Sequence, residues 1–238
     1  MVAVIAATYN ERDNIEILIT RLEKVLNDHD YRIIIVDDNS PDGTGQKVKE
    51  HQQKNDRLIL IERPSKLGLG TALKAGINRA LEVDAERIIT MDADLSHPPE
   101  TIVEMLSLDY DIVVGSRYVP GGGVKGWNWT RRLTSSTANY LANRLTGLAV
   151  RDTTGSFRCF KREAFDKFDI NLVKSEGYSF LIDILWHCQQ SGLSIHEIPI
   201  IFMNRTRGSS KISTKEIWLA IKTIFRLTLK RIRSGGKE

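Results

Sequence analysis

The sequence predicts an α/β chain with a mostly parallel central sheet covered by helices on both faces. Three observations carry that expectation: short β-branched runs alternate with longer amphipathic segments, the runs are apolar throughout as in strands buried on both faces, and each run ends in a polar loop. The 238 residues, 41% hydrophobic and 27% charged, suffice for one domain with a substantial core.

The first strand is VAVIAA, followed by a helix from Ile15 to Leu26. YRIIIVDD leads to a helix from Gly45 to Gln53, RLILIE to one from Thr71 to Val83, and RIITMDA to one from Glu100 to Leu108; DIVVGS closes the series. The pattern then predicts a helix from Trp129 to Leu145, a short strand SFRCFK, a helix from Tyr178 to Gln190, a strand LSIHEIPIIFM and a long terminal helix from near Thr214. No internal repeat or low-complexity tract interrupts the chain. The expected organisation is one α/β domain over residues 1–213 with a basic amphipathic extension over 214–238.

The formal charge is +4, and the cationic surplus accumulates in the last third of the chain, which points to an anionic partner there. The cations are not interleaved with aromatics on a sheet face or recognition helix, so nucleic acid is not an expected partner. Cys159 and Cys188 lack the spacing of a zinc site or a disulfide framework and are expected to be buried thiols. MVAVIAA has neither the basic lead nor the cleavage site of a signal peptide, and the expected location is cytoplasmic. No apolar run reaches the ~18 residues of a spanning helix, so membrane contact is expected to be peripheral or borrowed from another subunit.

The polar loops TYNERDN, DDNSPDGTG, RPSKLGLG, DADLSHPPE and SRYVPGGG all follow strands, where ligands bind in open α/β sheets. Asp92 and Asp94 would leave the same face if the strand geometry continued, and two such carboxylates can share Mg2+ or Mn2+ bridging a diphosphate. The alternative is a pair of solvated turn carboxylates. Asp37 and Asp38 end the second strand, where an acidic group accepts from a ribose or base; Asp42 reads as a helix cap. Tyr9 is placed to stack on a nucleobase, with Glu11 beside it. Gly68 and Gly70 lack P-loop spacing and read as turn and close-packing residues. Arg117, at the end of the fifth strand, faces either a phosphate or a nearby carboxylate.

In order from Val2 to about Lys211, the segments TYNE, VDDNSPDGT, KLGLGTA, MDADLSHPPE, GSRY, DTTGSFRCF, EGYSF and NRTRGSSK resemble the dolichol-phosphate (polyprenyl-phosphate) mannose synthases of the family-2 glycosyltransferases. The resemblance implies a GT-A, Rossmann-like fold and inverting transfer of mannose from GDP-mannose to dolichyl or another polyprenyl phosphate, with Mg2+ or Mn2+. By matching position it implies that Tyr9, Glu11, Val36, Asp38 and Asp92 bind the nucleotide, with Ala7 where the family usually has proline. Asp92 and Asp94 match the metal ligands, and Ser96 stands where some members have a glutamine ligand. Arg117, Arg205 and Lys211 match the basic groups around the donor and acceptor phosphates. Ser136 replaces an arginine common in the family, which shifts acceptor contacts to Arg131 or Arg132. The alternatives are a sibling enzyme that moves glucose or N-acetylglucosamine from a UDP-sugar, and a non-catalytic nucleotide-sugar-binding subunit.

RTRGSSK, rich in cations and small residues, reads as a lid over phosphates or as a solvated basic loop. From Thr214 onward, Ile217, Ile221, Ile224, Phe225, Leu229 and Ile232 share one side of a helix, while Lys215, Lys222, Arg226, Lys230 and Arg233 line another. Such a helix lies on an anionic membrane surface or packs on the domain with its charged face in water. An isoprenoid acceptor favours the first, as a peripheral protein on the cytoplasmic face of a membrane, with a small integral-membrane subunit as a further partner.

Overall fold

The structure, a computed structural model, describes residues 1–204 and 214–234. Five of its strands follow the predicted order: β1 (Val2–Thr8), β2 (Tyr31–Asp37), β3 (Leu58–Glu62), β4 (Arg87–Asp92) and β5 (Ile112–Ser116). Between them lie α1 (Arg12–Val25), α2 (Thr44–Gln52), α3 (Leu69–Glu82) and α4 (Thr101–Ser107). The second half adds β6 (Gly123–Lys125), α5 (Trp129–Thr146), β7 (Arg158–Lys161), a short α6 (Ala164–Lys167), α7 (Ser179–Gln190), β8 (Ile195–Pro199), β9 (Ile201–Met203) and α8 (Thr214–Ser234).

The main sheet has seven strands in the order β3-β2-β1-β4-β7-β5-β8. All its pairings are parallel except those of β7, which runs antiparallel between β4 and β5. SFRCFK was therefore correctly a strand, but its place is central: it returns from α5 and starts at the edge where β4 and β5 end. LSIHEIPIIFM divides at Ile200, so that β8 joins the main sheet and β9 pairs with β6 in a two-stranded ribbon.

Alternate side chains of the continuous apolar strands enter two separate cores, as the period of a strand requires. Val4 and Ala6 pack with Ile15 and Leu18 of α1 and Met105 of α4 on one face. Ala3 and Ile5 pack with Leu73 and Ile77 of α3 and with α7 on the other. Two glycines permit this closeness: a Cβ on Gly76 would overlap Ile5 Cγ2, and one on Gly70 would lie 2.6 Å from the Phe180 Cβ. Gly68, at φ 94°, makes the turn into α3. Cys159 and Cys188 are buried, and burial pushes their thiols up, to about 12 for Cys159.

No described helix is long and apolar enough to cross a membrane. The terminal helix packs in an orientation neither sequence reading anticipated, because its basic residues hold it to the domain. Arg226 Nη2 lies 2.6 Å from Asp183 of α7, Lys230 sits over the Trp186 ring, and Arg231 donates to the Arg144 and Leu145 carbonyls at the end of α5. Leu227 and Thr223 are buried and Ile224 is turned partly into the core, whereas Ile217, Trp218, Ile221, Phe225 and Ile232 face outward.

Replacing Gly76 with Ala forces a methyl group into Ile5, an overpacking that costs ~1–3 kcal/mol. Thermal unfolding should show a midpoint lowered by roughly 2–4 °C per kcal/mol in a domain of this size. An unchanged midpoint would refute the close packing of α3 on β1.

Candidate functional site

The loops after β1, β2, β3 and β4 meet in one pocket at the carboxyl edge of the sheet, lined among others by Ala7, Tyr9, Glu11, Asp38, Asp92 and Asp94. Val36 is placed elsewhere: its side chain is fully buried in the core beneath α3, because it points to the face of β2 that packs rather than to the strand end. Asp37 is also internal, accepting from Thr8 Oγ1, Ser40 Oγ and the Ser40 amide. The N-cap of α2 is Gly43, and Asp42, expected as the cap, stands one residue before it. Asp42 accepts from the Thr44 amide at the start of α2 and, with its other oxygen, from the Arg12 amide at the start of α1.

Asp38 reaches the pocket wall and is held from behind by Arg63 at 2.6 Å and by the Gly68 amide at 2.9 Å. Burial pushes its carboxyl up, against the opposing pull of that amide and of Arg63. Tyr9 carries Lys66 over its ring at 4.1 Å, so a base stacking there would share the ring with a cation. Lys66 was not singled out from the sequence, although it stands in the glycine loop that the pocket includes.

Asp92 and Asp94 both line this pocket, and their loop is pinned from several sides. Asp92 Oδ1 accepts from Ser156 Oγ at 2.6 Å, and the Asp92 amide donates to His97 Nδ1 at 3.1 Å. Leu95 between the loop carboxylate and Ser96 has φ 63°, a left-handed conformation costly for a bulky residue and held here by its packing against the core. Ser96 is fully buried, and both its amide and its hydroxyl donate to Asp94 Oδ1. Its hydroxyl thus orients a carboxylate instead of facing the pocket, which corrects the expectation that Ser96 stands as a metal ligand.

His97 accepts from a backbone amide through Nδ1, so its proton is on Nε2. Burial lowers its pKa and keeps it neutral, against the pull of Asp92 and Asp94. Its ring stacks on Phe157 and meets Phe202 edge-on, both at 5.2 Å.

Among the described residues no three or more His, Cys, Asp or Glu side chains gather as a metal cage. A pair of carboxylates beside a nucleotide pocket nevertheless suits Mg2+ or Mn2+, since such ions take one or two protein carboxylates and complete their shell with phosphate oxygens and water. The pocket's charge argues the same way. Glu11, Asp38, Asp92 and Asp94 line it, against Lys66 as its one cation among the described residues. A diphosphate would be repelled there without a divalent ion between.

A second cavity of about 730 Å³ opens from the other side of Asp92 toward α5 and α8. Arg117 lies in its wall, but its guanidinium is engaged: Nε and Nη2 each lie 2.7 Å from the Asp152 carboxylate, and Nη2 also donates to Thr154. Asp152 has no exposed surface and accepts as well from the amides of Arg117 and Gly155. Of the two contacts the sequence left open for Arg117, the structure shows the carboxylate, which comes from the DTTGS segment, while the side chain still lines the cavity. Burial opposes charge on both partners, yet each raises the other's charged form: Arg117 is shifted up and Asp152 down.

Arg131 lines the second cavity, its guanidinium 4.1 Å from the Trp127 ring centre and bonded to Asn204 Oδ1. Arg132 points away, is exposed and donates to the Val124 carbonyl, because one helical step turns it off the cavity face. Arg205, Lys211 and the expected lid lie outside the described residues.

Glycosyl transferase family 2 matches residues 3–169, and the chain belongs to that family. It is 40% identical to the polyprenol monophosphomannose synthase of Mycolicibacterium smegmatis over 90% of this chain and 82% of the relative. It is 33% identical to the undecaprenyl-phosphate mannosyltransferase of Micrococcus luteus over 89% and 87%. In fold it is similar to the glucosyl-3-phosphoglycerate synthase of Mycobacterium tuberculosis in complex with Mn2+, UDP and product, with TM-score 0.67, 16% identity, and 96% and 80% of the two chains covered. The mannosyl-3-phosphoglycerate synthase of Rubrobacter xylanophilus superimposes with TM-score 0.64 at 18% identity, over 100% and 76%. The GT-A fold expected from the sequence is thus the fold observed.

Asp152→Asn leaves Arg117 buried without its counter-charge and should cost ~3–5 kcal/mol at neutral pH. Because the folded Asp152 carboxyl lies below its ordinary value, its stabilisation is present above about pH 3.9 and is lost as pH falls through the folded value. Chemical denaturation of both proteins should show a gap that is full at neutral pH and narrows in acid. Equal stability at neutral pH would refute the assignment.

Proposed function

We propose that this family-2 glycosyltransferase moves mannose from GDP-mannose to the phosphate of a polyprenol such as dolichol, with inversion at the anomeric carbon. The observation that carries this is the junction of two unlike cavities at Asp92: an acidic pocket at the strand ends, and a larger, partly apolar chamber leading to exposed apolar helices. The names of the two curated relatives, both polyprenyl-phosphate mannosyl enzymes, support the donor sugar and acceptor class.

In this reading Tyr9, Glu11 and Asp38 bind the nucleoside, and the Leu95 turn fixes the direction of the loop carboxylates. Asp92 and Asp94 would hold Mg2+ or Mn2+, and the bound ion would supply positive charge to stabilise a departing nucleoside diphosphate. A phosphomonoester, with its second pKa near 6, is already a competent nucleophile and needs no strong base. The chain's work at the acceptor is orientation: Arg131 offers a cation in the chamber, with Arg205 and Lys211 as further candidates. Arg117, paired with Asp152, lines the same chamber as Arg131.

The acceptor's isoprenoid tail requires a lipid-facing path. Trp218, at 71% exposure, continues with Ile217, Ile221, Phe225 and Ile232 along α8, while Trp129, at 74%, and Leu133 and Tyr140 stand out on the neighbouring α5. An apolar surface spread over two packed helices exceeds the scattered exposure ordinary in water. Exposed Lys222 and Arg233 flank it and suit anionic headgroups. We place the protein peripherally on a membrane, with these helices toward the lipid.

Two experiments test this reading. Asp92→Asn and Asp94→Asn should each lower metal-dependent transfer to polyprenyl phosphate by roughly 10²–10³, measured with radiolabelled GDP-mannose; full metal-dependent turnover in either variant would remove the pair from the mechanism. In flotation with anionic liposomes, Trp218→Ser combined with Phe225→Ser should shift most of the protein to the unbound fraction. Wild-type flotation of that variant would exclude the α8 face from lipid contact.

A further inference from the structure

Among the described residues only Asp92, Tyr178 and Glu216 line both cavities. In a single displacement the anomeric carbon lies between the leaving and attacking oxygens, so the transferred sugar ring must occupy that shared wall. Asp92 is committed to its loop through Ser156 and to the donor side. Glu216 comes from a distant part of the chain, the first turn of α8, and its carboxylate accepts from the Tyr178 amide at 2.9 Å. It therefore sits at the N-terminus of α7, where a helix favours negative charge. Gly177, at φ 56°, makes the room, since a Cβ there would overlap the Glu216 carboxylate.

We propose that Glu216 is a specificity-determining residue that reads hydroxyl groups of the transferred hexose. This rests on the mannosyl-transfer reading. A carboxylate accepts up to about four hydrogen bonds, enough to serve a backbone amide and two neighbouring sugar hydroxyls together. Epimeric hexoses differ in the direction of one hydroxyl, and a site built to bond it discriminates strongly against a sugar that leaves the bond unmade. The helix that carries Glu216 is the one with the exposed apolar face. The residue that reads the sugar thus arrives at the junction only when α8 is seated on the domain.

The test compares kcat/KM for GDP-mannose and GDP-glucose, with polyprenyl phosphate as acceptor, for the whole chain and two variants. Glu216→Gln keeps a carbonyl oxygen for the Tyr178 amide but loses the charge and half the acceptor capacity. Gly177→Ala leaves Glu216 intact and displaces it. Both should lower the mannose-to-glucose preference by at least about tenfold, with GDP affinity unchanged, which also shows that the variants fold. A wild-type preference in both, or an equal fall with the two donors, overturns the role of Glu216 alone. A wild-type chain inactive with both donors overturns the mannosyl-transfer reading, and this inference with it.

Discussion

The site depends on the buried ion pair between Arg117 and Asp152. Asp152 accepts from the Arg117 side chain and from two backbone amides, fixing the end of β5 to the turn that precedes β7. Asn139 ties the same turn to α5, accepting from the Thr153 amide and hydroxyl and donating to Thr154. Arg158 extends it inward with bonds to the Thr153 and Leu181 carbonyls, its pKa lowered by burial to about 10. Immediately after Gly155, whose amide Asp152 holds, Ser156 delivers its hydroxyl to Asp92. Such an ion pair is weak support for stability as a whole. Its value lies in geometry, because it fixes β5, β7 and α5 around Asp92, the carboxylate to which the proposed mechanism gives the metal.

That geometry separates two electrostatic tasks. The donor side is acidic and is suited to a diphosphate only in company with a cation. On the acceptor side the Arg117 charge is cancelled by Asp152, so the chamber is less positive than a count of arginines suggests. In the proposed reaction, in which two phosphorylated molecules are held at once, this arrangement would avoid excess affinity for either. Under that proposal, attraction on the donor side would be conditional on a metal, while the acceptor side would rely on a few placed cations such as Arg131 and on the lipid's own partition into a membrane.

The sheet, its helices and the Asp92–Asp94 pair were legible because local pattern controls them: continuous apolar runs make buried strands, and polar loops follow their ends. The antiparallel insertion of β7 was not legible, since SFRCFK has the same composition whichever neighbours it takes. With that placement hidden, so were Ser156 beside Asp92 and Asp152 opposite Arg117. His97 stood unmarked in the loop DADLSHPPE because nothing local signals an imidazole that accepts from a strand-end amide. Matching position implied a nucleotide contact for Val36, and strand alternation sends its side chain into the core, so any such contact is not one of its side chain.

The terminal helix shows why periodicity finds faces without assigning them. The pattern separated apolar from basic residues, and either side could have faced the domain. The deciding partners are Asp183, Trp186 and the carbonyls ending α5, all distant in sequence. Asp183 is fully buried, with Lys174 and Ser175 amides and Arg226 as its donors, so seating α8 by its apolar side would strand that carboxylate inside the protein. Leaving a buried charge unpaired costs ~3–5 kcal/mol, a penalty that any seating of α8 without Arg226 on Asp183 would carry. The helix is seated by Arg226 on Asp183 together with buried Leu227 and Thr223, and most of its large apolar side chains are left outside, the face that the proposed function turns toward lipid.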